Sequence, residues 1–334
     1  DMTVMTDPHI RDLVGYAGRP PAANWPGGAR LAVNFVLNIE EGSETSVAQG
    51  DGRNETGLAE VTGGRHPEGV RDLGLESLYD YGSRAGVWRI LRLFQEREMP
   101  MTVYACAMAL ECNPAMAEAF AAAGYDFAGH GWRWVNHFEL DAETERAHIA
   151  RAVDIIRRLT GERPYGWYCR YAPSANTRRL LAEEGGFLYD SDSYADDLPY
   201  WERPLGRPHL VIPYTLDTND LKFGAPASYG SGDDFFTHLR DSFDQLYEEG
   251  TTQPKMLSIG LHTRLVGRPG RARALARFMD HVRSHPDVWV TRRVDIARHW
   301  IDHHWPAEAA ARPWKHLTTP RGPPPIAINT CALW

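Results

Sequence analysis

Two adjacent carboxylates, Glu40 and Glu41, stand just past the apolar run Leu31-Ala32-Val33-Asn34-Phe35-Val36-Leu37. A run this apolar predicts a strand buried on both faces, and charges at its end are tolerable only where that end opens into a polar cleft. Three later segments share the placement. His130 closes the run 125–129 between two glycines, Arg170 follows the run 165–169, and His262 ends Leu257-Ser258-Ile259-Gly260-Leu261 with Arg264 two residues on. Two acids at a strand mouth point to chemistry, and a buried strand that ends in His262 followed by Arg264 supplies a proton donor and anion contacts in one place.

The elements that must position these residues are short apolar runs alternating with stretches of helical period. Strands are expected over residues 31–38, 101–107, 125–129, 165–169, 187–190, 209–214, 255–261 and 288–291. Helices are expected over 76–97, from Pro114 through 122, from the Asp141 cap through 159, over 177–184, from Ser231 through 247, from Pro269, and through Trp300. Asn113, Asp141 and Ser231 are N-cap residues, and Gly185-Gly186 is a helix stop. The fold class is α/β with about seven to eight βα units. A closed or distorted (β/α) barrel and a doubly wound open sheet give the same alternation, and both place function at the strand C-termini. One domain over residues 1–312 carries an N-terminal extension, and the proline-rich stretch 313–334 reads as an extended arm. The loops 42–74 and 191–208 exceed the usual connection length and are candidate lids or interface elements.

Composition narrows the class. With 334 residues, 43% of them hydrophobic, the chain can bury a large core, and a net charge of −8 argues against nucleic acid or an anionic membrane as partner. No apolar stretch reaches the length of a membrane span, and no secretory leader is recognisable, so a cytoplasmic location is expected. Four cysteines without CxxC spacing are expected to be reduced thiols, Cys169 being a small strand residue rather than a nucleophile. The expected partner is a small-molecule substrate, and the helix faces and the arm suggest a homo-oligomer.

The order of motifs resembles the polysaccharide deacetylase superfamily, within it the branch of cofactor-independent allantoinases and related cyclic-amide hydrolases. The strings Gly185-Gly186-Phe187-Leu188-Tyr189-Asp190-Ser191-Asp192-Ser193-Tyr194 and Pro213-Tyr214-Thr215-Leu216-Asp217-Thr218-Asn219-Asp220 carry that resemblance most specifically. It implies a distorted (β/α) barrel and hydrolysis of an amide bond, most simply the ring opening of allantoin or a related ureide or imide. The family's paired acids fall on Glu40, as general base, and Glu41, as metal ligand; its late Leu-x-His motif falls on His262, as general acid; its Arg-Pro motif, which orients the base, is similar to Arg170-Tyr171-Ala172-Pro173, so the resemblance makes Arg170 a catalytic residue too. Its metal-binding histidine falls on His130, but the partner four residues on is Trp134.

One histidine and one carboxylate are fewer ligands than a catalytic zinc site normally has, so no cofactor is expected; a divalent metal such as zinc would require His137 to join His130 and Glu41. Arg264 is expected to bind substrate oxygens alongside Arg170. The alternative reading is a metal-dependent N-deacetylase of an oligosaccharide or small N-acetyl compound, in which Trp132 and Trp134 would be sugar platforms.

Overall fold

The computed structural model describes residues 10–60, 66–225 and 228–311. Its hub is β1 (Leu31–Ile39), every residue of which is buried, as the unbroken apolar run requires. Along one edge β1 pairs in parallel with β8 (Lys255–His262), from Leu31 opposite Lys255 to Asn38 opposite His262. The other edge is shared: β9 (Val288–Val290) takes Leu31 to Val33, and β2 (Thr102–Ala105) takes Val36 to Ile39. From β2 the parallel sheet runs through β3 (Asp126–Gly129), β4 (Gly166–Trp167), β5 (Tyr189–Asp190) and β7 (His209–Val211), with β6 (Tyr200–Glu202) antiparallel on its edge. Between β7 and β8 closure is irregular, the Gly260 N–H donating to the Thr218 carbonyl at 2.9 Å beside a parallel bridge of Asn219 to Gly260. The result is a distorted (β/α) barrel, and the open-sheet alternative falls away.

The helices are α1 (Leu73–Tyr81), α2 (Val87–Glu96), α3 (Ala107–Cys112), α4 (Pro114–Ala122), α5 (Ala142–Thr160), α6 (Thr177–Glu184), α7 (Gly232–Glu249), α8 (Pro269–Arg283) and α9 (Arg293–His303). Asn113, Asp141 and Ser231 cap α4, α5 and α7 with their side chains, and Gly185 ends α6 at a positive φ, as their residue types predict. Two expectations are corrected. The strand through residue 107 stops at Ala105, because Cys106 turns the chain into the short helix α3. The helix over 76–97 is interrupted by a π turn, Gly82–Gly86, between α1 and α2. That turn rides against the residues after β8: a Cβ on Gly86 would strike the Thr263 carbonyl, and one on Gly82 would strike Thr263 Oγ1 and Glu41 Oε1.

Packing on the outer face of β1 is aromatic, with Phe35 edge-on to Phe94 of α2 and Phe278 of α8 at 5.3 and 6.0 Å. Inside the barrel the buried Arg293 guanidinium is satisfied by neutral acceptors, among them Asn34 and Ser258 at 2.9 Å each and Ser191 at 2.8 Å. It ties β1, β8 and the post-β5 segment together beneath the mouth. Cys106, Cys112 and Cys169 are free thiols, and burial raises the Cys169 thiol well above its ordinary range, in keeping with a structural residue. No helix among the described residues is long and apolar enough to cross a membrane. The arm expected over residues 313–334 lies outside the described residues.

Candidate active site

The C-terminal ends of β1, β3 and β8 bring Glu40, His130 and His262 together, at 1%, 2% and 4% exposure. Glu40 Oε1 receives both imidazoles, His130 Nε2 at 3.3 Å and His262 Nε2 at 3.4 Å. Its other oxygen lies 2.8 Å from Arg264 Nη1. Burial alone would raise the carboxyl, but Arg264 and then His262 outweigh it and hold Glu40 well below the usual carboxylate range. Glu40 is therefore ionised at neutral pH, as a general base must be.

His262 is held by a residue that sequence reasoning missed. Asp220, in the irregular segment between β7 and β8, accepts from His262 Nδ1 at 2.6 Å and from the His262 backbone N–H at 2.7 Å. Burial disfavours the imidazolium, yet Glu40 and Asp220 together raise His262 to about 9. At neutral pH the ring carries its proton on Nε2, pointing at Glu40, which is the protonation state of a general acid. Asp220 lay within a string quoted above for its resemblance, but nothing in its local pattern marked it as the partner of His262.

His130 differs. Its Nδ1 donates to the Tyr168 carbonyl at 2.7 Å, and its Nε2 faces Glu40 Oε1 at 3.3 Å. Tyr168 also stacks on the imidazole, with centroids 5.2 Å apart and planes within 12°. The ring is thus fixed in plane.

Glu41 does not join His130. It turns towards Thr263, whose hydroxyl donates to Oε1, and towards Arg264 Nη1 at 3.0 Å, while its other oxygen accepts from the Glu40 backbone N–H at 3.1 Å. Nor does His137, which is buried beneath the loop with its ring 6.0 Å from Trp167 and 6.5 Å from His148. Neither ring nitrogen has a hydrogen-bond partner among the described residues, and burial, with His148 and His130 nearby, lowers it to about 3. Glu41, His130 and His137 are therefore not brought together as a ligand set. Among the described residues the one group of three with metal-ligand spacing is Asp244, His281 and His285, on the helical layer. At the mouth the charge between the two acids is the Arg264 guanidinium, and the position four residues after His130 is a tryptophan.

The remaining expected residues divide. Arg264, buried over the Tyr79 ring at 4.2 Å, belongs to the centre, and its Nη2 has no hydrogen-bond partner among the described residues. Arg170 is one shell out. It makes a two-pronged ion pair with Glu55 at 2.6 and 3.0 Å and lies 3.7 Å above the Trp134 ring, so its charge is already matched by a loop residue that sequence reasoning did not select. Trp134 is 1% exposed beneath Arg170, a platform for a guanidinium rather than for a sugar. Trp132 points to α5, under Arg151 at 3.8 Å and edge-on to His148 at 5.1 Å, and is not part of the mouth.

The loop after β1 folds over this centre. Leu58 accepts from Arg264 Nε at 2.9 Å, and Gly57 from the Tyr79 hydroxyl at 2.7 Å. Tyr171, next to Arg170, adopts φ +57°, a conformation costly for a bulky residue, and burial followed by the Glu40 charge raises its phenol to about 12. It was not selected from sequence, and no local pattern announces it.

Residues 75–189 match the polysaccharide deacetylase family. A protein of Schizosaccharomyces pombe, named "Putative polysaccharide deacetylase", is 42% identical over 313 residues, covering 88% of this chain and 98% of that protein. The chain belongs to the polysaccharide deacetylase family. Two solved structures are similar in fold and sequence. The crystal structure of the PuuE allantoinase superposes with a TM-score of 0.86 at 54% identity, covering 88% of this chain and 98% of that one. A probable polysaccharide deacetylase from Pseudomonas aeruginosa PAO1 superposes with a TM-score of 0.85 at 53% identity, covering 88% and 99%. The distorted barrel is thus the barrel of this deacetylase family, and membership places the chain among amide-bond hydrolases.

Proposed function

We propose that the chain opens a small cyclic amide, such as allantoin or a related ureide or imide, by hydrolysis without a metal. The observation that carries this reading is the enclosure of Glu40, His130 and His262, each at most 4% exposed, beneath the Leu58 loop. Reactive groups enclosed in this way suit a small ring, whereas a polymer needs an open groove. The similarity to an allantoinase at 54% identity supports the same substrate class.

In this reading Glu40 takes a proton from water as the water attacks the ring carbonyl, and His262 gives its Nε2 proton to the departing ring nitrogen. His130, its Nε2 3.3 Å from Glu40 Oε1, holds that carboxylate in place for the water. Arg264 has two tasks: Nη1 keeps Glu40 ionised, and the unpaired Nη2 is a donor for the oxyanion that forms as the carbonyl becomes tetrahedral. Arg170 and Glu55, as a neutral pair over Trp134, shape the wall rather than bind an anion.

The test is a panel of allantoin, hydantoin, succinimide and N-acetylglucosamine oligomers, assayed before and after treatment with a chelator. The reading predicts turnover of at least one ring, unchanged by chelation, and none of the oligomers. Deacetylation of an oligomer, or of a small N-acetyl compound, with loss of rate on chelation would favour the metal-dependent deacetylase reading that the family name suggests.

A further inference from the structure

We propose that α7 and α8 carry a divalent transition-metal site formed by Asp244, His281 and His285, separate from the barrel mouth. One ligand atom from each residue lies within 4.8 Å of the other two. His281 Nε2 and Asp244 Oδ1 are already 2.7 Å apart. Tetrahedral bonds of about 2.1 Å would set the ligand atoms about 3.4 Å from one another. The 2.7 Å pair has to open by less than 1 Å and every spacing already lies within 4.8 Å, so side-chain rotations suffice to admit the ion.

The two histidines are four residues apart, His281 in the last turn of α8 and His285 just beyond it, and so share a face, while Asp244 reaches across from α7. His285 Nδ1 donates to the His281 carbonyl at 2.8 Å, which fixes its tautomer and leaves the lone pair on Nε2. Phe243 forms the floor, its ring 5.4 Å from His281 and 5.0 Å from His285, and Tyr247 closes one side at 5.1 Å from His285. Two imidazoles and one carboxylate over an apolar floor select zinc, cobalt, nickel or copper rather than magnesium or calcium, and leave open positions for water. The bound ion would cross-link the two helices that back β1 and β8.

Titration of tag-free, chelator-treated protein with Co2+ and Zn2+ tests this, by calorimetry and by the visible absorption of Co2+. The proposal predicts one equivalent bound and a melting temperature raised by a few degrees at saturation. His281→Ala, His285→Ala and Asp244→Asn, each checked for an unchanged metal-free melting temperature, should each weaken binding by at least about tenfold, as loss of a ligand does more than loss of its supporting contacts. Glu40→Gln should bind as the parent does. Unchanged stoichiometry and affinity in a His281→Ala/His285→Ala double variant would overturn the proposal, as would absence of binding by the parent protein.

Discussion

Asp220 holds His262 at two points, the ring Nδ1 at 2.6 Å and the backbone N–H at 2.7 Å, so one carboxylate fixes the direction of the proton donor and, with Glu40, its charge. Asp220→Asn keeps an acceptor but removes the charge, and His262 should then lose its proton at lower pH. Because His262 must be protonated to act, kcat/KM falls as pH rises through its value of about 9 in the parent, and the fall should begin about one unit lower or more in the variant. The sign for stability is the same. A histidine raised from 6.5 to about 9 adds stability that is complete below 6.5 and lost as pH rises to 9, so parent and variant should differ most in melting temperature at and below about pH 6.5 and converge above pH 9. Paired pH profiles of rate and melting temperature check both.

Arg264 stands between two buried acids, 2.8 Å from Glu40 and 3.0 Å from Glu41. Arg264→Met strands both charges, and the loss should be about 3–5 kcal/mol by denaturant unfolding. In whatever fraction folds, Glu40 protonates at higher pH, so the acid limb of the rate profile moves upward.

The wall pair is testable as a unit. Arg170→Ala leaves Glu55 buried without a cation, and Glu55→Ala leaves the guanidinium over Trp134 without an anion. Each single change should cost more than its share of the double change, with a coupling of about 1–3 kcal/mol in a stability cycle. A coupling near zero would show that Arg170 acts independently of Glu55.

Gly86 lets the π turn approach the segment after β8, and a methyl group there would meet the Thr263 carbonyl. Gly86→Ala should destabilise by about 1–3 kcal/mol and displace Thr263, the hydroxyl that supports Glu41. Thermal unfolding alongside the rate on a ring substrate checks this, with activity expected to fall further than stability accounts for.

The strand ends were legible because their physics is local. An apolar run closed by Glu40, by His130 or by His262 announces a buried strand with a polar terminus, and these three side chains do converge. Partners that arrive from irregular segments carry no such mark. Asp220 opens a short 3-10 helix, Asp220–Gly224, between β7 and β8, Glu55 lies in the segment folded over the mouth, and the pairing of Arg264 with Glu41 depends on how β8 sits beside the π turn. Spacing misled where the chain bends. Gly131, at φ +88°, breaks the extension after β3 and sends Trp132 to α5 and Trp134 under the arginines. His137 passes beneath the loop instead of towards Glu40. The helix through residues 76–97 read as continuous because its apolar period survives the extra residue of the π turn.

The central claim is that Glu40 is the base in a metal-free ring opening, and the most direct measurement is kcat/KM on allantoin for the parent protein and Glu40→Gln side by side, with melting temperatures alongside. The account predicts a folded variant whose rate is down by about 100- to 10,000-fold. A folded Glu40→Gln protein within a few fold of the parent would contradict it.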